Sequence, residues 1–340
     1  MTDIARLAGV STATVSRAMN GSPLVNAETR QRIVDLARSL NYTINVGAQS
    51  LRLGQNRTVA VLVPYEGERR QAVSDPFFLS LVGSLADALT DQGYDMLLSR
   101  IDADNIEQAG RYVDNGRAVG VILVGQWHHH EQLNSLAARR LPIVVWGAQL
   151  PRQLYCTVGG DNQTGGLLAT AALLDEGRRR IAFMGERDLA EVAHRYQGYL
   201  LAHQRAGIRP DPDLCLSVSF LSDGGRTAVA RLLADGPAFD GVFACSDLIA
   251  MGVIATLREH GIAVPEQVSV VGYDDVALAQ NFQPALTTVH QSIEEGGRLL
   301  VATLLELIQN GRAEPRTLVP SLVTRASTRA RPPASAPCAV

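Results

Sequence analysis

Residues 3–20, DIARLAGVSTATVSRAMN, read as two short helices around a tight turn. Ile4, Ala5, Ala8 and Val10 supply the apolar side of the first helix and the turn. Gly9 can take the left-handed conformation that ends a helix without steric cost. Ser11 is then a good N-cap, because its hydroxyl accepts from the exposed amides of the next turn. Val15, Ala18 and Met19 fall on one face of the second helix, and Thr12, Ala13, Ser16 and Arg17 on another. A helix exposing small polar groups and one arginine suits the major groove of double-stranded DNA, where arginine bonds guanine with two donors. Small helical domains with no DNA role also contain a helix–Gly–Ser–helix, so the pattern alone leaves both readings open.

The longer stretch AGVSTATVSRAMNG (8–21) resembles the N-terminal signature of the LacI/GalR family of bacterial transcription regulators, and the similarity continues to about residue 328. The resemblance implies a helix-turn-helix DNA-binding domain over 1–44, with Thr12, Ala13, Thr14, Ser16, Arg17 and Asn20 facing DNA. It implies a hinge helix and linker over 45–57. There Asn45 and Ala48 match the family, and Leu51 matches the leucine wedge that enters the minor groove and kinks the duplex. The segment is short and contains Gly47, so it is a poor isolated helix that a partner must order. Tyr42-Thr43-Ile44-Asn45 lacks the proline usual in the family, which leaves the hinge entry less pre-set. The family also carries a few residues before the aspartate matched by Asp3, so the start here is short.

Composition fits a DNA-binding head on a separate body. The 340 residues suffice for two or three domains with real cores, and 46% hydrophobic with 19% charged residues is ordinary globular composition. Net charge is −3, but residues 1–57 hold seven arginines against Asp3, Glu28 and Asp35, about +4, leaving about −7 for the remainder. All basic residues are arginine, which reads as codon bias. Cys156, Cys215, Cys245 and Cys338 show no CxxC spacing, so neither zinc nor a disulfide framework is expected. No apolar run follows a basic start, and no stretch nears the roughly 18 apolar residues of a membrane span. The expectation is a cytoplasmic protein without cofactor or metal.

A third helix is expected from Ala27 to Leu40, capped by Asn26, with Ile33, Val34, Leu36, Ala37 and Leu40 packing on the first two. Arg30, Arg32 and Arg38 lie off that face and read as a solvated surface. From Thr58 onward strands alternate with helices. Strands are expected at 58–64, 94–101, 118–125, 142–147, 180–186, 216–220, 241–247, 268–275 and 317–325. Helices fall between them, near 77–92, 105–115, 130–139, 162–176, 190–206, 224–234, 248–260 and 294–310. Near-continuous apolar strands in such an alternation mean parallel sheets covered on both faces. The fold class is therefore α/β, two doubly wound halves over 58–328. This agrees with the periplasmic-binding-protein-like (type I) core of two interleaved subdomains that the resemblance implies. Crossovers are expected near 158–162, 276–290 and 318–322. The tail 329–340, RARPPASAPCAV, is Pro/Ala-rich, reads as disordered, and lacks the heptads of a tetramerising coiled coil.

In such sheets ligands bind outside the carboxyl ends of the strands. Asp161, Arg195, Ser246, Asp247, Asp274, Asp275 and Gln291 occupy strand ends or helix starts. Asp75, Pro76, Phe77 and Phe78 precede a helix, and Gln126 and Trp127 follow a strand. Carboxylates, one arginine, amides and aromatics are what a neutral polyol needs. Asp247 is equally readable as a helix N-cap, Phe77 and Phe78 as core, and Arg195 as a surface arginine. The resemblance assigns effector binding to Arg195 in HRYQGY, Asp247 in CSD, Asp274 in GYDD and Gln291 in LTTVHQ, and aligns Phe220 with a sugar-stacking aromatic. Ser246 stands where the family usually has asparagine.

Other signals carry less. His128, His129 and His130 are consecutive and cannot converge as i,i+4 ligands do. VGGDNQTGG (158–166) is neither G-x-G-x-x-G nor a P-loop, and no G-x-S-x-G exists. The expectation is a homodimeric regulator, not an enzyme: a repressor of carbohydrate-utilisation genes on a palindromic operator, controlled by a sugar in the cleft. A purine or sugar phosphate is the alternative effector, and a sugar-transport binding protein the alternative role.

Overall fold

The computed structural model describes residues 1–19, 22–40, 56–65, 72–220 and 222–329. Two compact units result, Met1–Asn56 and Arg57–Val340.

The first unit holds α1 (Thr2–Ala8), α2 (Thr12–Met19) and α3 (Ala27–Ser39). Gly9 closes α1 at φ 64°. The Ser11 hydroxyl accepts from the Thr14 amide at 3.1 Å, and Asn26 caps α3 through the Thr29 amide at 2.8 Å. Ile4, Ala5, Ala8, Val15, Ala18, Val25, Ile33 and Ala37 form the core, with Val10, Met19 and Leu36 against it. Two sequence expectations, those for Leu40 and Arg30, need correction. Leu40 lies beyond α3 and is 45% exposed. Arg30 donates from Nη2 to the Ser22 and Val25 carbonyls, and Arg32 donates to the Ala8 carbonyl, so both tie the scaffold together. Arg32 is nonetheless exposed, as the sequence reading has it, and so is Arg38, 4.0 Å from Asp35.

The second unit contains two six-stranded sheets. The first runs β11 (Arg316–Leu318), β5 (Cys156–Gly160), β4 (Ile143–Trp146), β3 (Gly120–Val124), β1 (Thr58–Tyr65) and β2 (Asp95–Asp102), all parallel. The second runs β12 (Ser321–Val323), β10 (Thr287–His290), β9 (Ser269–Asp274), β8 (Gly241–Ala244), β6 (Ile181–Met184) and β7 (Cys215–Leu216). Its strands are parallel except β12, which pairs antiparallel with β10. Burial on both faces follows from the period of two: Val59, Val61 and Val63 of β1 enter one apolar cluster, while Ala60 and Leu62 enter the other.

The helices that matter for the site are α4 (Pro76–Asp91), α6 (His130–Ala138), α7 (Asn162–Asp175), α8 (Ala190–Arg205), α9 (Ser222–Asp235), α10 (Asp247–Glu259) and α11 (Ile293–Asn310); a 3-10 turn (Ala103–Ala109) leads into the short α5 (Gly110–Asp114). That turn replaces part of the single helix expected near 105–115. The chain passes between the sheets three times: after β5, between β10 and α11, and between β11 and β12. Two stretches read as connections are therefore strands, β5 and β10, and the stretch read as one closing strand is two, one in each sheet. The strand expected at 216–220 shortens to β7. Among the described residues no helix is long and apolar enough to cross a membrane.

Candidate functional site: a cleft at the carboxyl ends of both sheets

Each sheet sends loops from its strand ends into one cleft. From the first half come Asp75, Phe77 and Phe78 at the start of α4, Gln126 and Trp127 after β3, and Trp146 at the end of β4. From the second come Glu191 and Arg195 on α8, Phe220, Ser246 after β8, and Asp274 at the end of β9. Eight of the eleven cleft residues expected from sequence thus meet here: Phe77, Phe78, Gln126, Trp127, Arg195, Phe220, Ser246 and Asp274.

Arg195 is the best-held of them. It is 5% exposed. Its Nε donates to Asn162 Oδ1 at 2.8 Å, its Nη1 donates to the Cys245 carbonyl, and its guanidinium lies 3.7 Å from the Tyr273 ring centroid. The Tyr273 hydroxyl donates to the same Asn162 oxygen at 3.4 Å. This requires α7 and α8 to approach closely, and glycines allow it. A Cβ on Gly166 would stand 2.0 Å from the Arg195 carbonyl oxygen, and one on Gly198 would stand 2.1 Å from the Gln163 carbonyl oxygen.

Asp274 is 7% exposed at φ 114°, a left-handed conformation costly for a residue with a Cβ. Gln291 Nε2 donates to its Oδ1 at 2.8 Å. Burial raises its carboxyl to about 7, Arg195 and Gln291 pull it back, and Asp75 pushes it further up. Burial also raises Glu191, opposed by its own backbone amide and by Arg195. Beneath Arg195, burial pushes the Cys245 thiol up to about 12.

The aromatic wall is built from both halves. Phe77 lies 5.6 Å from Phe78 and 5.8 Å from Trp146. Trp127, at φ 49°, leaves the first sheet yet packs on a core cluster of the second, beside Phe220.

Several expected residues do other work. Asp161 caps α7, accepting from the Thr164 amide at 3.0 Å and its hydroxyl at 2.7 Å, and does not line the cleft. Asp247 is fully buried away from it. Its Oδ2 accepts from the Val276 amide at 2.8 Å and its Oδ1 from the Thr288 hydroxyl at 2.5 Å. The cap of α10 is Ser246, whose Oγ accepts from the Ile249 amide at 3.2 Å. Gln291 stands behind Asp274. Gln126 lines the cleft, but its amide is engaged with the Ala148 backbone and the Tyr155 hydroxyl. Sequence reasoning missed Glu191, Trp146, Asn162 and Tyr273. Glu191 was findable as the residue one turn before Arg195, and Trp146 as the last apolar residue of its strand.

On the first unit, Thr12, Ala13 and Arg17 are exposed, and Thr14 and Ser16 half-buried. The Thr14 hydroxyl bonds that of Ser11 at 2.9 Å. Asn20, Asn45, Ala48 and Leu51, with the hinge and the tail beyond Arg329, lie outside the described residues.

Comparison with known proteins gives a consistent picture. Residues 1–45 match the family described as "Bacterial regulatory proteins, lacI family", and residues 170–328 match the "Periplasmic binding protein-like domain". The chain is 30% identical to the HTH-type transcriptional repressor PurR of Pasteurella multocida, over 97% of this chain and 98% of that protein. It is 33% identical to the ribose operon repressor of Haemophilus influenzae, over 96% and 98%. Among solved structures, a transcriptional regulator CelR–cellobiose complex superposes with a TM-score of 0.72 at 32% identity, covering 95% of this chain and 98% of that one. These relatives are transcription regulators, not enzymes. With a helix-turn-helix unit at its N-terminus and the similarity running through both sheets, this chain belongs to the lacI family of bacterial regulatory proteins as a DNA-binding transcriptional regulator.

Proposed function

We propose that the chain is a repressor whose hold on a palindromic operator is set by a small carbohydrate in the cleft. The observation that carries this is the pairing, in one cavity, of aromatic faces with a buried arginine and carboxyls. Phe77, Trp127, Trp146 and Phe220 can cover the C–H faces of a sugar ring, while Arg195, Asp274 and Ser246 exchange hydrogen bonds with its hydroxyls. Similarity to a ribose operon repressor and to a cellobiose-bound regulator supports it.

In this reading α2 lies in the major groove, with Thr12, Ala13, Thr14, Ser16 and Arg17 toward the bases and Asn20 at its end. Asn45, Ala48 and Leu51 serve the hinge in the minor groove. A homodimer in the cytoplasm places two heads over two half-sites. Because the cleft is lined from both halves, a sugar that prefers one closure of the halves shifts the DNA-binding state by its differential affinity, and by no more than that. The DNA-binding head occupies 1–44, the hinge 45–57, the effector and dimerisation core 58–328, and the tail 329–340.

Thermal unfolding with a panel of mono- and disaccharides, nucleobases and sugar phosphates tests the ligand class. A carbohydrate that raises the Tm of the wild type but not of Arg195→Leu supports the reading. A purine that does so in place of any sugar overturns it, and aligns the chain with the purine-type alternative.

A further inference from the structure

The charge inside the cleft narrows the ligand further. Among the described residues three carboxyl side chains line it, Asp75, Glu191 and Asp274, against one guanidinium, that of Arg195. That guanidinium is committed to an amide, a carbonyl and a ring face, and to no carboxylate in those contacts. The two bonds use Nε and Nη1, and the side chain is nine-tenths buried and lines the cavity, so its remaining N–H groups belong to a guanidinium held in place at the cleft wall. Glu191 sits one turn before Arg195 on the same helix and lines the same cleft.

We infer that the cleft is built for a polyol carrying a protonated amine, an amino sugar, with Glu191 and Asp274 accepting from the ammonium. The inference rests on the sugar reading above and specifies its chemistry. An ammonium donates three charge-assisted hydrogen bonds into carboxylates, and aromatic faces add a second attraction for a cation. A neutral sugar leaves the Glu191 carboxylate desolvated with only hydroxyl donors. A phosphorylated sugar brings a dianion against three acids and, among the described residues, one guanidinium. Glu191 is thereby a specificity-determining residue.

Titration calorimetry of the full chain tests this with two matched series. One is glucosamine, glucose, N-acetylglucosamine and glucose 6-phosphate. The other is the β-1,4-linked glucosamine disaccharide, cellobiose and the N-acetylated disaccharide. The amine member of at least one series should bind about tenfold or more tighter than its neutral partner. Glu191→Gln should shrink that preference by about tenfold, with the Tm of the free protein not lowered. Equal or tighter binding of the neutral members, binding of the phosphate, or an undiminished preference in Glu191→Gln overturns the inference and leaves the sugar reading standing. If neither series binds while a purine does, both fall together.

Discussion

Asn162 makes no expected contact with a ligand, yet it should control the affinity for one. Its Oδ1 accepts from Arg195 Nε at 2.8 Å and from the Tyr273 hydroxyl at 3.4 Å, while its Nδ2 donates to the Gly160 carbonyl at 3.0 Å. Asn162→Ala removes the acceptor and strands a charged, buried N–H. A hydrogen bond to a charged group contributes about 1.5–3 kcal/mol. If Arg195 bonds the ligand only when so oriented, affinity falls by roughly 10- to 150-fold. Asn162→Asp keeps the acceptor and should retain most of the affinity. Calorimetric titration with the sugar that shifts the wild-type Tm reads both variants, and operator binding without sugar is the control, expected within about twofold of wild type. An Asn162→Ala protein that melts earlier but binds the sugar as wild type would refute the positioning role. So would an Asp variant as weak as the Ala variant.

Four further outcomes follow from the geometry. Gly198→Ala places a methyl 2.1 Å from the Gln163 carbonyl oxygen, and backbone on both sides cannot step aside. It should cost about 3 kcal/mol or more, seen in denaturant unfolding. Asp247→Ala should destabilise the core by about 2–4 kcal/mol, because it orphans the buried Val276 amide and Thr288 hydroxyl; unchanged stability with lost sugar response would make Asp247 a ligand group instead. Asp274 titrates near 7 in the fold against about 3.8 unfolded, so the native state holds its proton longer and gains stability from it at low pH. That contribution fades as pH rises from about 4 through 7; the stability of wild type relative to Asp274→Asn should fall across that window in unfolding measured against pH. Arg17→Ala should relax discrimination at one base pair per half-site by about 1–3 kcal/mol, and a uniform loss over all sequences would mark Arg17 as a phosphate contact.

The head and the sheets were legible because their signals are local or periodic. Gly9, Ser11 and Asn26 act within one turn of where they stand, and apolar runs such as TVAVLVP cannot be half-exposed strands. β5 and β10 escaped notice because Cys156–Gly160 and Thr287–His290 are short and carry glycines or threonines, and their place is set by neighbours already in the sheets. The cleft was legible as a set of strand ends. Which polar groups face it was not. Asp161 and Asp274 both follow apolar strands, and only the next turn decides that one caps a helix while the other enters the cavity. Asp247 shows the same limit: its partners Val276 and Thr288 lie far along the chain. The bonds of Arg30 to the turn before α3 and of Arg32 to the last carbonyl of α1 likewise depend on partners that helical periodicity does not see.

The central claim is that cleft and head are energetically coupled. Fluorescence anisotropy of a labelled duplex, selected by the protein from a randomised pool and titrated at fixed salt with and without the sugar, measures it. The account expects the sugar to change operator affinity by some factor, and the operator to change sugar affinity by the same factor. Sugar bound at saturation with operator affinity unmoved would contradict the coupling, and no duplex bound even at low salt would contradict the DNA-binding role itself.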